Sequence, residues 1–169
     1  QEKAMDIFKG EKSDEWGTPP ELLIELGLGV RDALDVCASP VNKKFAEYWT
    51  KDDDCLGKEW PKNKICWMNP PFSKATSFFH KAVEEAQKGT KVLAIYKTTN
   101  LETLLWQNVI LPHCDGVLFL KGRTEYVREQ SAGKGVPFGS ALIFFNIRKD
   151  IPTRKESIGY WINTHGGEW

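Results

Sequence analysis

The chain has 169 residues, of which 41% are hydrophobic and 12% are aromatic. This length suits one domain with its own core, and the apolar content excludes a disordered chain. Lys and Arg together number 23, as do Asp and Glu, so the net charge is zero. A neutral chain argues against broad nonspecific binding to a polyanion, although the local charge distribution decides what one face binds.

Cysteine and histidine usage bounds the redox and metal chemistry. The four cysteines lack C-x-x-C spacing and lie in or near apolar runs, which favours free thiols in a reducing cytoplasm over disulfides. No ligand spacing predicts a metal site. No apolar run approaches the roughly 20 residues that span a bilayer, and the start does not resemble a signal peptide. We expect a cytoplasmic protein that neither spans a membrane nor binds a metal ion.

The first predicted elements are a helix and a short buried strand. In TPPELLIELG (18–27), Thr18 is placed as the N-cap and Pro19 as the first helical residue. The apolar run ALDVC (33–37) predicts a strand that stops at the turn-forming residues 38–40.

Strands and helices then alternate along the chain. Apolar periodicity predicts helices at 42–46, 75–89 and 101–111, and strands at 47–50, 64–68, 91–96, 115–120 and 140–147. Such alternation predicts an α/β fold, with a mainly parallel sheet covered by helices on both faces. We interpret 1–148 as one compact domain, with 1–14 as an ordinary or mobile terminus, and 149–169 as a polar appendage.

Two chemically suggestive segments, DVCASP and NPPF, follow predicted strands. Ligands bind beyond the carboxyl ends of strands in such sheets. Asp35 could bind an ammonium or hydroxyl group, or could only cap its turn. The Asp52–Asp54 run is either a solvated loop or the source of one ligand-binding carboxylate, for which Asp54 is favoured because it precedes an apolar pair.

The motif NPPF (69–72) suits a flat molecule that carries an amino group, although the same four residues also occur in ordinary stiff turns. Acceptors at the Asn69 side chain and the Pro70 carbonyl could bind the two hydrogens of an exocyclic amine and make its lone pair available to an electrophilic methyl group. Pro71 stiffens the turn, and Phe72 can stack on a base. The base would have to leave its stack first.

Six segments together resemble the phage-type DNA N-6-adenine methyltransferase family. They are EWGTPPELL (15–23), LDVCASPVNKKF (34–45), YWTKDDDCLGKEW (48–60), CWMNPPFSK (66–74), LKGRTEY (120–126) and PFGSALIFF (137–145). Phe72 stands where related enzymes often carry tyrosine, and Cys37 where alanine is more usual. The polar stretch YKTTN (96–100) has no role assigned by the resemblance.

The resemblance implies a Rossmann-like methyltransferase fold and S-adenosylmethionine as the cofactor. It implies that Asn69, Pro70, Pro71 and Phe72 form the target-base site. The residues that it implies for cofactor binding are Trp16, Thr18, Pro19, Asp35, Ala38, Ser39, Asn42 and Asp54.

The implied activity is methyl transfer to N6 of adenine in DNA by direct displacement, in a phage-encoded protein acting in a bacterial host cytoplasm. No separate target-recognition domain is visible, so loops must contact DNA. The candidates are Lys121, Arg123, Tyr126, Arg128 and Lys134, which could equally lie on a solvated hairpin. A homodimer would help such a small chain to cover DNA.

Two other classes of function stay open. The same pocket chemistry serves cytosine N4, RNA adenine and protein glutamine amides. A non-catalytic nucleic-acid-binding subunit with a degenerate methyltransferase fold is the other alternative.

Overall fold

In a computed structural model of the chain, the residues that the structure describes are 24, 26, 33–38, 45–122, 139–147 and 158–164. They form one seven-stranded sheet of order β2-β1-β3-β4-β6-β5-β7. The strands are β1 (Leu34–Asp35), β2 (Glu47–Tyr48), β3 (Ile65–Met68), β4 (Lys91–Lys97), β5 (Gly116–Leu120), β6 (Ser140–Phe145) and β7 (Gly159–Asn163). The helices are α1 (Ala75–Gln87), a π-helix (Leu105–Ile110) and α2 (Leu111–His113), with single 3-10 turns at Lys51–Asp53, Cys55–Gly57 and Phe72–Lys74. Within these ranges no helix is long and apolar enough to cross a membrane.

The strands of the sheet do not all run in the same direction. The expectation of a mainly parallel sheet is therefore correct only in part. The pairs β1/β2, β1/β3 and β3/β4 are parallel, whereas β6 runs antiparallel to both β4 and β5. Strands β1 to β5 therefore point the same way, and β6 and β7 point the opposite way. No apolar helical pattern separates β5 from β6 in the sequence, and antiparallel neighbours need no crossover helix.

Strand β7 was not predicted, because residues 149–169 were interpreted as a polar appendage. It pairs with β5 at the sheet edge, and Trp161 packs edge-on against Phe144 at 5.3 Å between ring centroids. Two glycines allow this pairing: a Cβ at Gly116 would lie 2.3 Å from the Trp161 ring, and a Cβ at Gly159 would lie 2.3 Å from the Phe119 carbonyl oxygen. The tail therefore contributes to the core.

The core has one layer on each face of the sheet, as the alternation of strand side chains requires. On one face, α1 and the π-helix pack on the sheet through Phe78, Phe79, Ala82 and Trp106, so the predicted helical periodicity of 75–89 is confirmed. On the other face, a cluster around Trp67 includes residues from outside the strands. The described residues contain no complete helix on that second face, so helical cover is shown for one face.

The predicted helix at 101–111 is confirmed in part. Residues 101–103 form turns and a bend, and the helical stretch that follows at 104–113 is a π-helix over Leu105–Ile110 and ends in α2. Pro112 lacks an N–H and its ring crowds the carbonyl four residues earlier, which the wider π turn can accommodate.

Candidate functional site

The strand order creates a crevice between the ends of β1 and β3. From β1 the chain moves outward to β2 and then returns to β3 on the other side of β1, so the loops after β1 and β3 diverge. This arrangement is the switch point at which open α/β sheets bind ligands. We call the side of the sheet where β1 to β5 end the carboxyl edge. Asp35 and the NPPF motif both lie there, as the sequence predicted.

A cleft of about 310 Å³ opens at this crevice, which is at the small end of ligand pockets. It brings together Cys37 and Ala38 after β1, Asp54 after β2 and Pro71 after β3. Its wall is largely apolar and also carries hydroxyl, ammonium and carboxylate groups. The other lining residues are Val36, Thr50, Lys51, Cys55, Leu56, Ser73, Lys74 and Phe78. Asp35, Asn69, Pro70 and Phe72 are close in the sequence to lining residues but do not line the cleft themselves.

Cys37 joins the β1 loop to the β3 loop. Its thiol donates to the main-chain oxygen of Asn69 at 3.0 Å, and its N–H donates to Asp35 Oδ1 at 3.2 Å. Asp35 is buried, with 3% of its surface exposed, so the turn-capping role considered from the sequence is present. Because Cys37 contacts both loops, it holds the predicted cofactor-binding loop after β1 against the predicted base-binding loop after β3.

The three aspartates at 52–54 have different environments. Asp53 Oδ2 accepts from Thr50 N at 2.7 Å, and this hydrogen bond is the main reason that the pKa of Asp53 is lowered. Asp52 is exposed. Asp54 has a left-handed backbone, with φ of 52°, and its residue lines the cleft. The structure therefore directs Asp54 toward the cleft, as expected from the sequence, and gives Asp53 a capping role.

Asn69 provides a buried acceptor at the carboxyl edge. Its Oδ1 has no hydrogen-bond partner among the residues that the structure describes. Buried polar atoms are nearly always paired, so such an atom calls for an explanation. Pro71 has extended backbone, with φ of −62° and ψ of 138°, and its carbonyl accepts from Lys74 N at 3.0 Å. The motif is thus a stiff turn that leads into α1.

Phe72 contacts two residues at the end of β4. Its ring meets Tyr96 edge-on, with centroids 5.9 Å apart, and Lys97 Nζ lies 4.5 Å from its ring centroid. A cation over an aromatic ring contributes about 0.5–1 kcal/mol where solvent reaches it. Sequence reasoning assigned no role to Lys97; the signal was the unusual polarity of YKTTN.

The cysteines are protonated at neutral pH. Burial, reinforced by the nearby Asp35 carboxylate, raises the pKa of Cys37 well above its usual range. Burial also raises the pKa of Cys55 to about 11 and that of Cys66 to about 12, and that of Cys114 to about 11. All four are free thiols. A thiol of this kind is a poor nucleophile, so these residues do not favour covalent catalysis.

Of the remaining predicted site residues, the structure describes Lys121. Lys121 follows β5 at the carboxyl edge, and its N–H donates to the Ile158 carbonyl at 3.0 Å. No group of three residues able to hold a metal exists within the described ranges. Trp16, Thr18, Pro19, Ser39, Asn42, Arg123, Tyr126, Arg128 and Lys134 lie outside the described residues.

The described residues form an α/β protein with a cleft beyond the ends of its parallel strands. The family model described as DNA N-6-adenine-methyltransferase (Dam) matches residues 7–160. The chain belongs to this family.

Two phage proteins, each named DNA N-6-adenine-methyltransferase, are similar to the chain. The protein of Escherichia phage T1 is 35% identical over 80 residues, covering 47% of this chain and 34% of that protein. The protein of Haemophilus phage HP1 (strain HP1c1) is 28% identical over 89 residues, covering 52% of this chain and 51% of that protein. The matches thus span about a third and about half of these relatives.

Proposed function

We propose that this chain is a DNA methyltransferase that transfers a methyl group from S-adenosylmethionine to the exocyclic N6 of adenine. Family membership and the names of the phage relatives support the substrate and the reaction class. The observation that carries the proposal is the buried Asn69 Oδ1, which has no partner among the described residues and belongs to the loop whose Pro71 lines the cleft. An amino group of the substrate is a suitable donor for this oxygen.

The cleft residues fit the proposed cofactor. Ala38 and Leu56 offer an apolar surface for a flat purine, and Asp54 offers a carboxylate for ribose hydroxyls. Asp35 lies directly before the cleft-lining residues and would pair with the methionine ammonium. The cofactor supplies an electrophilic methyl group on a sulfonium. Trp16, Thr18, Pro19, Ser39 and Asn42 complete the proposed cofactor site.

The base site would work by holding the target amine. Asn69 Oδ1 and the Pro70 carbonyl accept from the two N6 hydrogens and turn the nitrogen lone pair toward the cleft. Phe72 stacks on the extruded base, a contact worth about 1–3 kcal/mol. With the amine held in this way, methyl transfer would form the nitrogen–carbon bond as the donor's carbon–sulfur bond broke, and N6 would lose one proton to solvent. Preorganised acceptors lower the barrier because they need not reorient during the reaction.

The rest of the proposal concerns architecture and partners. The five strands of common direction and the switch-point cleft support a Rossmann-like methyltransferase fold for 1–148. We propose that DNA lies along the carboxyl edge and contacts Lys121, Arg123, Tyr126, Arg128 and Lys134. A homodimer and action in the cytoplasm of a bacterial host belong to the same proposal.

Nucleoside mass spectrometry tests this function. The chain is incubated with methyl-labelled S-adenosylmethionine and with unmethylated plasmid DNA or RNA, and the nucleosides are then separated. We expect label in N6-methyladenine from DNA. Label in N4-methylcytosine, in RNA alone or in protein alone would overturn the proposed substrate. Calorimetry without cofactor binding at millimolar concentration would instead support a non-catalytic subunit.

A further inference from the structure

Lys97 occupies a position that the proposed base site leaves without a role. It is the last residue of β4 and lies at the carboxyl edge, on the strand next to β3. Its ammonium stands 4.5 Å from the centroid of Phe72, the ring assigned to stack on the target base. This positive charge therefore lies where a nucleotide would arrive.

An incoming base can replace the Lys97 ammonium on the ring of Phe72. A base that stacks on the covered face of Phe72 must displace the ammonium, and stacking is the stronger of the two interactions. The lysine stem is long and flexible, and its ammonium is a compact charge. An extruded nucleotide also carries its own backbone phosphate to this edge, so the displaced ammonium meets an anion.

The backbone of Lys97 is fixed in the sheet, and its side chain is a flexible four-carbon stem. Lys97 pairs with Ser140 in the β4/β6 ladder. The next residue, Thr98, donates its N–H to the Gly139 carbonyl at 3.0 Å. Gly139 approaches so closely that a Cβ there would lie 2.7 Å from Thr98 Oγ1. A cationic side chain that is flexible but rooted at a rigid strand end can hold a nucleotide in place.

We propose that Lys97 binds the backbone phosphate of the target nucleotide after the base has displaced it from Phe72. This inference rests on the proposed DNA methyltransferase activity and adds to it a substrate-binding residue. Phosphate contacts of this kind fix the register of a nucleic acid without reading its sequence.

The test compares Lys97→Met with Lys91→Met. Lys91 begins the same strand, so the control removes the same charge about 20 Å away at the opposite edge of the sheet. We expect Lys97→Met to raise the KM for DNA about tenfold. It should also reduce the slope of log K against log salt by about 0.9 for duplex DNA binding. The Kd for S-adenosylmethionine should not change. Lys91→Met should keep the wild-type slope, and Lys97→Arg should restore it.

Two results overturn the inference, and they are distinguishable. A wild-type chain that methylates no DNA removes the proposed function and this role together. An active wild type, with a Lys97→Met variant that loses kcat but keeps the wild-type salt slope, makes Lys97 only a support for Phe72. Thermal unfolding is measured for each variant; if the methionine variant does not fold, Lys97→Gln replaces it with the same expected slope.

Discussion

The two edges of the sheet differ in how their buried polar groups are paired. At the amino edge, where β3, β4 and β5 begin, buried polar side chains have hydrogen-bond partners. At the carboxyl edge, two buried polar side-chain atoms have none among the described residues. Glu85 Oε2 accepts from Trp60 N at 3.2 Å, and Thr90 Oγ1 donates to the Trp60 carbonyl at 3.3 Å. Asp115 Oδ2 accepts from Ile147 N at 2.7 Å. The pairing removes the cost of burying these groups.

The carboxyl edge differs in kind. Asn69 Oδ1 and Thr99 Oγ1 are buried there without a partner among the described residues. The third such atom, Trp106 Nε1, belongs to a ring that packs on Tyr96 toward the same end of β4. An unpaired buried acceptor costs about 1–3 kcal/mol. This contrast supports the proposal that the carboxyl edge binds a ligand, whereas the paired groups of the amino edge stabilise the fold.

The largest expected effect is that of Asn69→Ala on methyl transfer. We expect the rate at saturating S-adenosylmethionine to fall at least about 100-fold, or roughly 2.7 kcal/mol in the barrier, because the amine loses its central acceptor. Calorimetric binding of the cofactor should be nearly unchanged. The Tm should stay the same or rise, because the variant removes an unpaired buried acceptor.

Asn146→Ala is the matched control at the amino edge. Asn146 Nδ2 donates to the Thr90 carbonyl at 3.3 Å, and its backbone is left-handed with φ of 55°, which alanine adopts less readily. Its loss should therefore lower the free energy of unfolding by about 1–2 kcal/mol and leave methylation intact. If Asn69→Ala retains more than a tenth of the rate, Asn69 is not the central acceptor. A large loss of stability in Asn69→Ala would likewise erase the contrast between the edges.

The next effect concerns Glu85, the buried carboxylate of the amino edge. Burial alone would raise its pKa, but hydrogen bonds from Lys81 and Trp60 outweigh burial and hold the pKa below its ordinary value of 4.5. Its ionised form therefore stabilises the fold above pH 4.5, and this contribution is lost as the pH falls through the lower folded-state pKa. Glu85→Gln should cost about 2 kcal/mol at neutral pH, and its difference from the wild type should shrink in acid.

Urea unfolding across the acid range measures this difference. Glu84→Gln is the control, since Glu84 is exposed and meets Lys88 at 3.4 Å on the helix surface; it should change stability by less than about 0.5 kcal/mol. A difference between wild type and Glu85→Gln that does not shrink toward low pH would contradict the role assigned to the ionised carboxylate.

Sequence patterns predicted the part of the fold in which local and tertiary preferences agree. The run from β3 through NPPF to α1 and β4 combines an apolar strand, two prolines and a helical repeat of Phe78, Phe79 and Ala82. All of these elements were found. Strand β7 escaped prediction because its apolar residues 160–162 form a short continuous run in an otherwise polar tail, without the polar–apolar alternation of a half-buried strand. Its pairing depends on two glycines, Gly116 and Gly159, whose effect requires knowledge of their neighbours.

The sequence was enough to predict which residues of the candidate site lie at the carboxyl edge. It was not enough to predict which of their side chains contact one another. Motif order located Asn69 and Asp54, because carboxyl ends of parallel strands share an edge. The hydrogen bond from the Cys37 thiol to the Asn69 carbonyl joins residues 32 positions apart, and the Lys97–Phe72 contact joins the end of β4 to the turn that follows β3. Such contacts depend on register and side-chain direction, which a single sequence does not encode locally.

The smallest expected effect is that of Gly57→Ala beside the cleft. A Cβ at Gly57 would lie 2.7 Å from Asp54 Oδ2, so the carboxylate must move. We expect the Kd for S-adenosylmethionine to rise about threefold, or roughly 0.7 kcal/mol, with the rate at saturation unchanged, as measured by calorimetry and initial rates. A double-mutant cycle with Asp54→Ala isolates the cause. If Asp54 transmits the effect, Gly57→Ala should add nothing once that carboxylate is absent. An unchanged threefold loss in the Asp54→Ala background would mean that the loop itself, and not Asp54, shapes the cofactor side of the carboxyl edge.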